Sequence, residues 1–182
     1  MSCKNTTSRY GSLPIGLHWI MFLFLVAVYV AINLHGYQPK GSALRAAMLN
    51  WHFGLGLCVL VLVVVRIWAR FSSGPAPLIA PPIPRWQKVF AGIMHFALYA
   101  FMLGMPVLGW IAISAKGSPV HFFGWQLPML IGTDKALYKS LKEIHETIGT
   151  IGYYLIGLHV LAALGHHFVM RDNTLRRMLP GR

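Results

Sequence analysis

Residues 141–170, LKEIHETIGTIGYYLIGLHVLAALGHHFVM, form an almost wholly apolar run that carries four histidines. His145 and His159 are 14 residues apart. At 3.6 residues per turn, this spacing returns both side chains to nearly one helix face, about 21 Å apart along the axis. The hydrocarbon core of a bilayer is about 30 Å thick. One face of such a helix therefore presents one imidazole near each membrane surface. An imidazole inside a bilayer is costly unless it is paired or bound, so its presence there points to a site. Neutral imidazole is also the commonest metal ligand among side chains. Two more histidines, His18 and His52, stand near the starts of other apolar runs.

These side chains need helices to hold them at fixed heights. The 182-residue chain is 56% hydrophobic and 11% charged, whereas a soluble domain carries about 25% charged residues. The expected fold is all-α, an integral membrane four-helix bundle forming a single membrane domain over residues 1–182. Spans are expected at about 14–34, 44–70, 87–114 and 141–170. Pro14 opens the first span, and Trp19 stands at interfacial depth. No small-residue cleavage site follows a short apolar core, so this run is read as retained rather than as a signal peptide. Gly54 and Gly56 flatten the second helix beside His52, where a helix or a flat ligand can approach the backbone. Arg66 follows His52 by 14 residues, on nearly the same face at the opposite end. It is a cofactor-binding candidate, weighed against snorkelling to headgroups, which is the expectation for Arg70. SSGPAPLIAPPIPR is an extended connection. Pro106 is expected to kink the third span, and the aromatic stretch AKGSPVHFFGWQLPMLIGTDKALYK is expected to lie in the membrane interface.

The net charge is +12. It sits in short flanks between apolar spans, where headgroups and topology signals account for it, so the expected partner is the lipid bilayer and not nucleic acid. Four spans put both termini on one side. Most of the 16 Lys and Arg fall on that side, among them Lys4, Arg9, Arg85, Lys88, Arg171, Arg176, Arg177 and Arg182. This excess assigns both termini to the cytoplasm. Cys3 and Cys58 lie in different settings and suggest neither a disulfide framework nor a thiolate metal site.

With that topology the histidines sort by depth. His18 and His159 stand near the cytoplasmic face, His52 and His145 near the opposite one. Zinc or non-haem iron usually takes three or four convergent ligands, often with a carboxylate. Here the ligands are spread over two depths, and Glu146 is the one acidic residue well placed within a span. Two haems b, each held between two histidines on neighbouring helices, fit better.

Over nearly its whole length the chain resembles the bacterial cytochrome b561 family, small four-helix di-haem proteins of the inner membrane. The matching pieces are LHWIMF around His18, the Trp51-His52-Phe53-Gly54 start of the second helix, VVVRIWAR, MHFALYAFMLGMPVLGW, and KEIHETIGTIGYYLIGLHVLAALGHHFVMRDNTLRRMLP. The resemblance implies haem b ligation by His18 with His159 and by His52 with His145. The same superfamily includes haem-bearing membrane subunits of hydrogenases and formate dehydrogenases, which serve a soluble partner enzyme. A compact, self-contained chain is more similar to the stand-alone branch. For that branch the resemblance implies an oxidoreductase that takes electrons from superoxide on the periplasmic side and gives them to ubiquinone. The alternative is a haem-bearing relay subunit that docks with a partner redox enzyme. A non-redox protein whose histidines carry protons or metal is a third reading, and it would show no haem spectrum.

The same resemblance directs attention to two surfaces. Lys116 and Lys142, with His121, Lys135 and Lys139, would make the periplasmic surface positive and steer an anion. At the other end, His166 follows His159 by seven residues and lies about 10 Å nearer the cytoplasm on nearly the same face. With His95, Arg85 and Lys88 it would donate hydrogen bonds to quinone carbonyls, while His167 points elsewhere, toward headgroups. Family members can carry lysines in the Pro-rich connection. Here APPIPR has none before Lys88, so Arg85 would stand in.

Overall fold

Apolar runs in a bilayer have no water to satisfy their backbone groups, so they close into helices whose N–H groups find carbonyls within the same segment. The computed structural model describes residues 4–180, leaving Cys3 and Arg182 outside the described residues. Four helices form: α1 (Ser12–Tyr37), α2 (Ala43–Ser72), α3 (Arg85–Lys116) and α4 (Lys135–Phe168), with a 3₁₀ turn at Arg176–Met178. All four are long and apolar enough to cross a membrane.

Local chemistry sets their ends. Ser42 accepts the Arg45 N–H at 3.2 Å and caps α2. The Asp134 carboxylate accepts the N–H groups of Ala136 and Leu137 at 2.9 and 3.0 Å. This cap starts α4 at Lys135, ahead of the span expected from residue 141. α3 remains one helix through Pro106 and stops at Gly117, whose φ of 76° is left-handed. A Cβ there would also lie 2.9 Å from Thr133 Oγ1, so conformation and space both require glycine. Between α3 and α4 the aromatic connection folds into a hairpin, β1 (Val120–Phe122) antiparallel to β2 (Trp125–Leu127). Phe123 and Gly124 turn it with φ of 48° and 82°, the two positive values a tight type I′ turn needs.

α1 packs on α2, α2 on α3, and α3 on α4. The apolar core joins the first three helices through Met21, Val59, Val63 and Met102. α4 adds no side chain to it, and the one buried residue of α4 is Gly152. The outward faces are strongly apolar, with Leu23, Trp68, Phe96 and Leu161 exposed for lipid to cover.

The end carrying both termini is tied together by three segments. The Asn5 N–H donates to Ser73 O at 2.9 Å and the Leu78 N–H to Thr7 O at 2.9 Å. The Ala80 N–H donates to the Asn173 side-chain oxygen at 2.9 Å. Trp19 Nε1 reaches Met178 O at 2.7 Å. Arg177 is buried, donates to Pro77 O, and lies over the Tyr10 ring at 5.7 Å.

Candidate functional site

The histidines meet in couples. His52 on α2 faces His145 on α4 with ring centroids 6.1 Å apart and planes at 84°. His18 on α1 faces His159 on α4 at 6.4 Å and 67°. Two imidazoles that share one metal, each bonded at about 2 Å through a nitrogen, stand with centroids about 6 Å apart. Among the described residues no group of three or more His, Cys, Asp or Glu gathers as a metal cluster. The geometry thus offers two-histidine sites at two heights, which suits a ligand that brings its own equatorial donors.

The first couple is pre-oriented. His52 Nδ1 lies 3.3 Å from Val28 O. A carbonyl only accepts, so Nδ1 carries the proton and Nε2 keeps its lone pair for a ligand bond. His145 Nδ1 is buried and has no hydrogen-bond partner. A Cβ on Gly109 of α3 would lie 3.2 Å from His145 Cε1, so a glycine there gives the ring its room.

The second couple sits in a cationic setting. Arg66 Nη2 donates to His18 Nδ1 at 2.8 Å. Arg66 therefore turns inward rather than snorkelling. The guanidinium groups of Arg66 and Arg70 both lie over the Tyr99 ring, at 5.9 and 6.0 Å. Among the described residues Arg66 has no carboxylate partner; the ion pairs are Lys142 with Glu146 and His166 with Asp172. A cation at this depth without a counter-ion calls for an anionic ligand.

His95 departs from its expected neighbours. The sequence groups it with His166, Arg85 and Lys88, but its ring stands 5.7 Å from His159. Position 95 falls three turns into α3, level with the His18–His159 couple, whereas Arg85 and Lys88 lie exposed at the helix start. His166 is held by Asp172, with Nδ1 2.5 Å from the carboxylate. His167 keeps its Nδ1 buried, and its ring packs on Phe168 at 4.7 Å.

Between the two heights the bundle narrows. Gly152 lies midway between His145 and His159 in sequence, and a Cβ there would run into Tyr29 Oη and the Phe101 ring. Tyr29 Oη donates to Gly149 O at 2.7 Å, its ring lies 4.2 Å from that of Tyr153, and Tyr153 Oη accepts from Asn33 at 2.6 Å. This waist separates the couples. The sequence hinted at it only through the glycine seven residues from each histidine.

At the end opposite the termini, Lys116, Lys135 and Lys139 are exposed, as is His121. Lys116 Nζ lies over the Tyr138 ring at 5.9 Å. Lys142 is paired with Glu146 at 2.7 Å, which offsets part of its charge. Asp172 stands in a tail that reads as basic, and its sequence neighbours give no sign of a partner. It lies beyond the end of α4 and reaches His166 because Arg171 adopts a left-handed φ of 55°. Burial alone would push the Asp172 carboxyl up. The bonds from His166 and from the Thr174 N–H outweigh burial and hold it below the ordinary carboxylate value.

Comparison with known proteins gives the family. The family model described as prokaryotic cytochrome b561 matches residues 9–181. The chain is 39% identical to "Cytochrome b561 homolog 1" of Escherichia coli (strain K12) over 177 residues, covering 96% of this chain and 99% of that protein. It is 33% identical to "Probable superoxide oxidase CybB" of Yersinia pestis over 172 residues, covering 94% of this chain and 96% of that one. It is 28% identical to "Cytochrome b561 homolog 2" of Escherichia coli (strain K12), covering 98% and 95%. With its four membrane-length helices, the chain belongs to the prokaryotic cytochrome b561 family of haem b membrane electron-transfer proteins.

Proposed function

We propose that this protein holds two haems b and passes electrons from superoxide, arriving on the periplasmic side, to ubiquinone at the cytoplasmic end. The observation that carries the reading is the stack of two histidine couples at 6.1 and 6.4 Å, separated by a waist. His52 with His145 and His18 with His159 would hold the haems, which when bound supply single-electron transfer with no coordination position open to oxygen. Likeness to a relative named as a probable superoxide oxidase supports the choice of donor.

The protein's own residues have separable tasks. Val28 O fixes the His52 tautomer that leaves Nε2 free to ligate. At His18, ligation through Nε2 requires a proton on Nδ1, and a guanidinium cannot accept one. Ligation there goes with release of Arg66 toward an anion, and the carboxylates of a haem are such anions. Lys116, Lys135 and Lys139 are the exposed cations that would draw in superoxide. The excess of Lys and Arg at the end with the termini supports a cytoplasmic location for that end.

The test uses the purified full chain with its haems. Superoxide should reduce the haems, and ubiquinone should reoxidise them, with no other protein added. The reduction rate should fall as salt rises. Haems that ignore superoxide but are reduced by a partner enzyme would replace this reading with the relay subunit.

A further inference from the structure

At the C-terminal end of α4 the chain builds a carboxylate–imidazole dyad, His166 in the last turn and Asp172 beyond it, that electron transfer alone does not require. Asp172 is 3% exposed. Its Oδ2 accepts from His166 Nδ1 at 2.5 Å and its Oδ1 from the Thr174 N–H at 2.8 Å. The Asp172 N–H returns a bond to His166 O at 3.1 Å, so the pair is closed on itself. The next residue, Asn173, is tied to Ala80 and Leu78 of the α2–α3 connection at 2.9 and 3.2 Å. The carboxylate is therefore held by anchored backbone and not by a free tail. His166 is two turns beyond His159 on nearly the same face of α4. Its side chain keeps 18% of its surface exposed, while that of Asp172 keeps 1%. The imidazole thus stands between the second histidine couple and water.

A carboxylate on Nδ1 fixes one tautomer of an imidazole, leaves Nε2 to exchange protons, and stabilises the protonated ring. We infer that His166 is the proton donor to the quinone and that Asp172 is its positioning residue. The inference rests on the quinone-reducing reading above. Two electrons from two superoxide ions leave two molecules of O₂, and a quinone that takes both electrons must gain two protons to become quinol. His166 gives one proton from Nε2 to the quinone carbonyl oxygen that faces it and is reprotonated from the aqueous phase, while the opposite oxygen takes the second proton from water. Asp172 gives up no proton. It holds the ring in the productive tautomer and offsets the positive charge.

The experiment uses full-length haem-loaded protein, pre-reduced with dithionite and mixed with a short-chain ubiquinone in water and in D₂O. Asp172→Asn should keep the haem content and spectrum, slow quinone-driven reoxidation about a hundredfold in kcat, and leave KM nearly unchanged. The variant should also show a larger solvent isotope effect than the parent. His166→Gln should lose the same step, and the double variant should be no slower than His166→Gln alone. If Asp172→Asn loses haem or fails to fold, His166→Gln with Asp172 intact decides the matter. Parent-like reoxidation in either haem-replete variant overturns the dyad while leaving the quinone reading in place. A rise in KM with kcat intact overturns it in favour of a purely structural contact. Failure of the parent to be reoxidised by quinone overturns the quinone reading itself, and the dyad with it.

Discussion

The two histidine couples have nearly the same spacing and very different surroundings. The His52–His145 couple rests on a backbone carbonyl from α1 and a glycine from α3, and among the described residues no cation hydrogen-bonds to either ring. The His18–His159 couple has Arg66 on one imidazole, His95 against the other, and Arg70 beyond Tyr99. The same pair of imidazoles is thus placed in an apolar slot and in a cationic one. A positive charge beside a redox centre favours its reduced form. With a haem at each couple, as proposed, the difference would order the two sites, so that electrons entering at the first couple would be drawn toward the second.

Removing ligands tests the comparison most severely. The protein should bind two haems per chain, and His52→Ala and His159→Ala should each remove one and spare the other. Haem-to-protein ratios would show this, and a parent ratio near one in protein that has lost no haem would end the two-site picture. His95 sharpens the test, because it lies as near His159 as His18 does. His18→Ala should lose the haem at that height, whereas His95→Ala should keep it. The reverse result would make His95 the ligand.

The next change acts on both couples at once. Gly152→Ala drives a methyl group into Tyr29 and Phe101. Overpacking of this kind costs about 1–3 kcal/mol. Both haem signals should shift together and thermal stability should drop. A change confined to one haem would mean that the waist does not separate the couples.

Smaller changes should touch one side only. Gly109→Ala crowds His145 and should loosen the haem at that height by up to about tenfold, the low end for disturbing the surroundings of a metal ligand. Arg66→Leu removes the cation beside His18 and should lower the potential of one haem by roughly tens of millivolts. Redox titration followed at both absorption bands reads this out. Equal shifts of both haems would erase the proposed asymmetry.

Much of this molecule follows from composition and period alone. Four apolar runs with few charges have little choice but to become membrane helices, because unpaired backbone groups are too costly in lipid. A separation of 14 residues from His145 to His159 sets two heights on one face, since helical rise is nearly constant. Both are properties of a single segment, and one segment's sequence contains them. The surroundings of each histidine are not local. Whether Arg66 snorkels or turns inward depends on where α1 and Tyr99 lie. His95 reads as one more polar residue near a helix start until α3 packs on α4 and brings it to His159. The hairpin between α3 and α4 needs two positive φ values in succession, one of them at Phe123, a residue type that gives no sign of it. Asp172 sits in a basic tail past the helix end, and only a left-handed turn at Arg171 carries it back to His166. The sequence by itself determined the helices and the heights, because backbone hydrogen bonding and helical rise act along one chain. Tertiary structure alone decided which charges, glycines and carbonyls surround each height, because those contacts join residues whose separation along the chain says nothing of their distance in space.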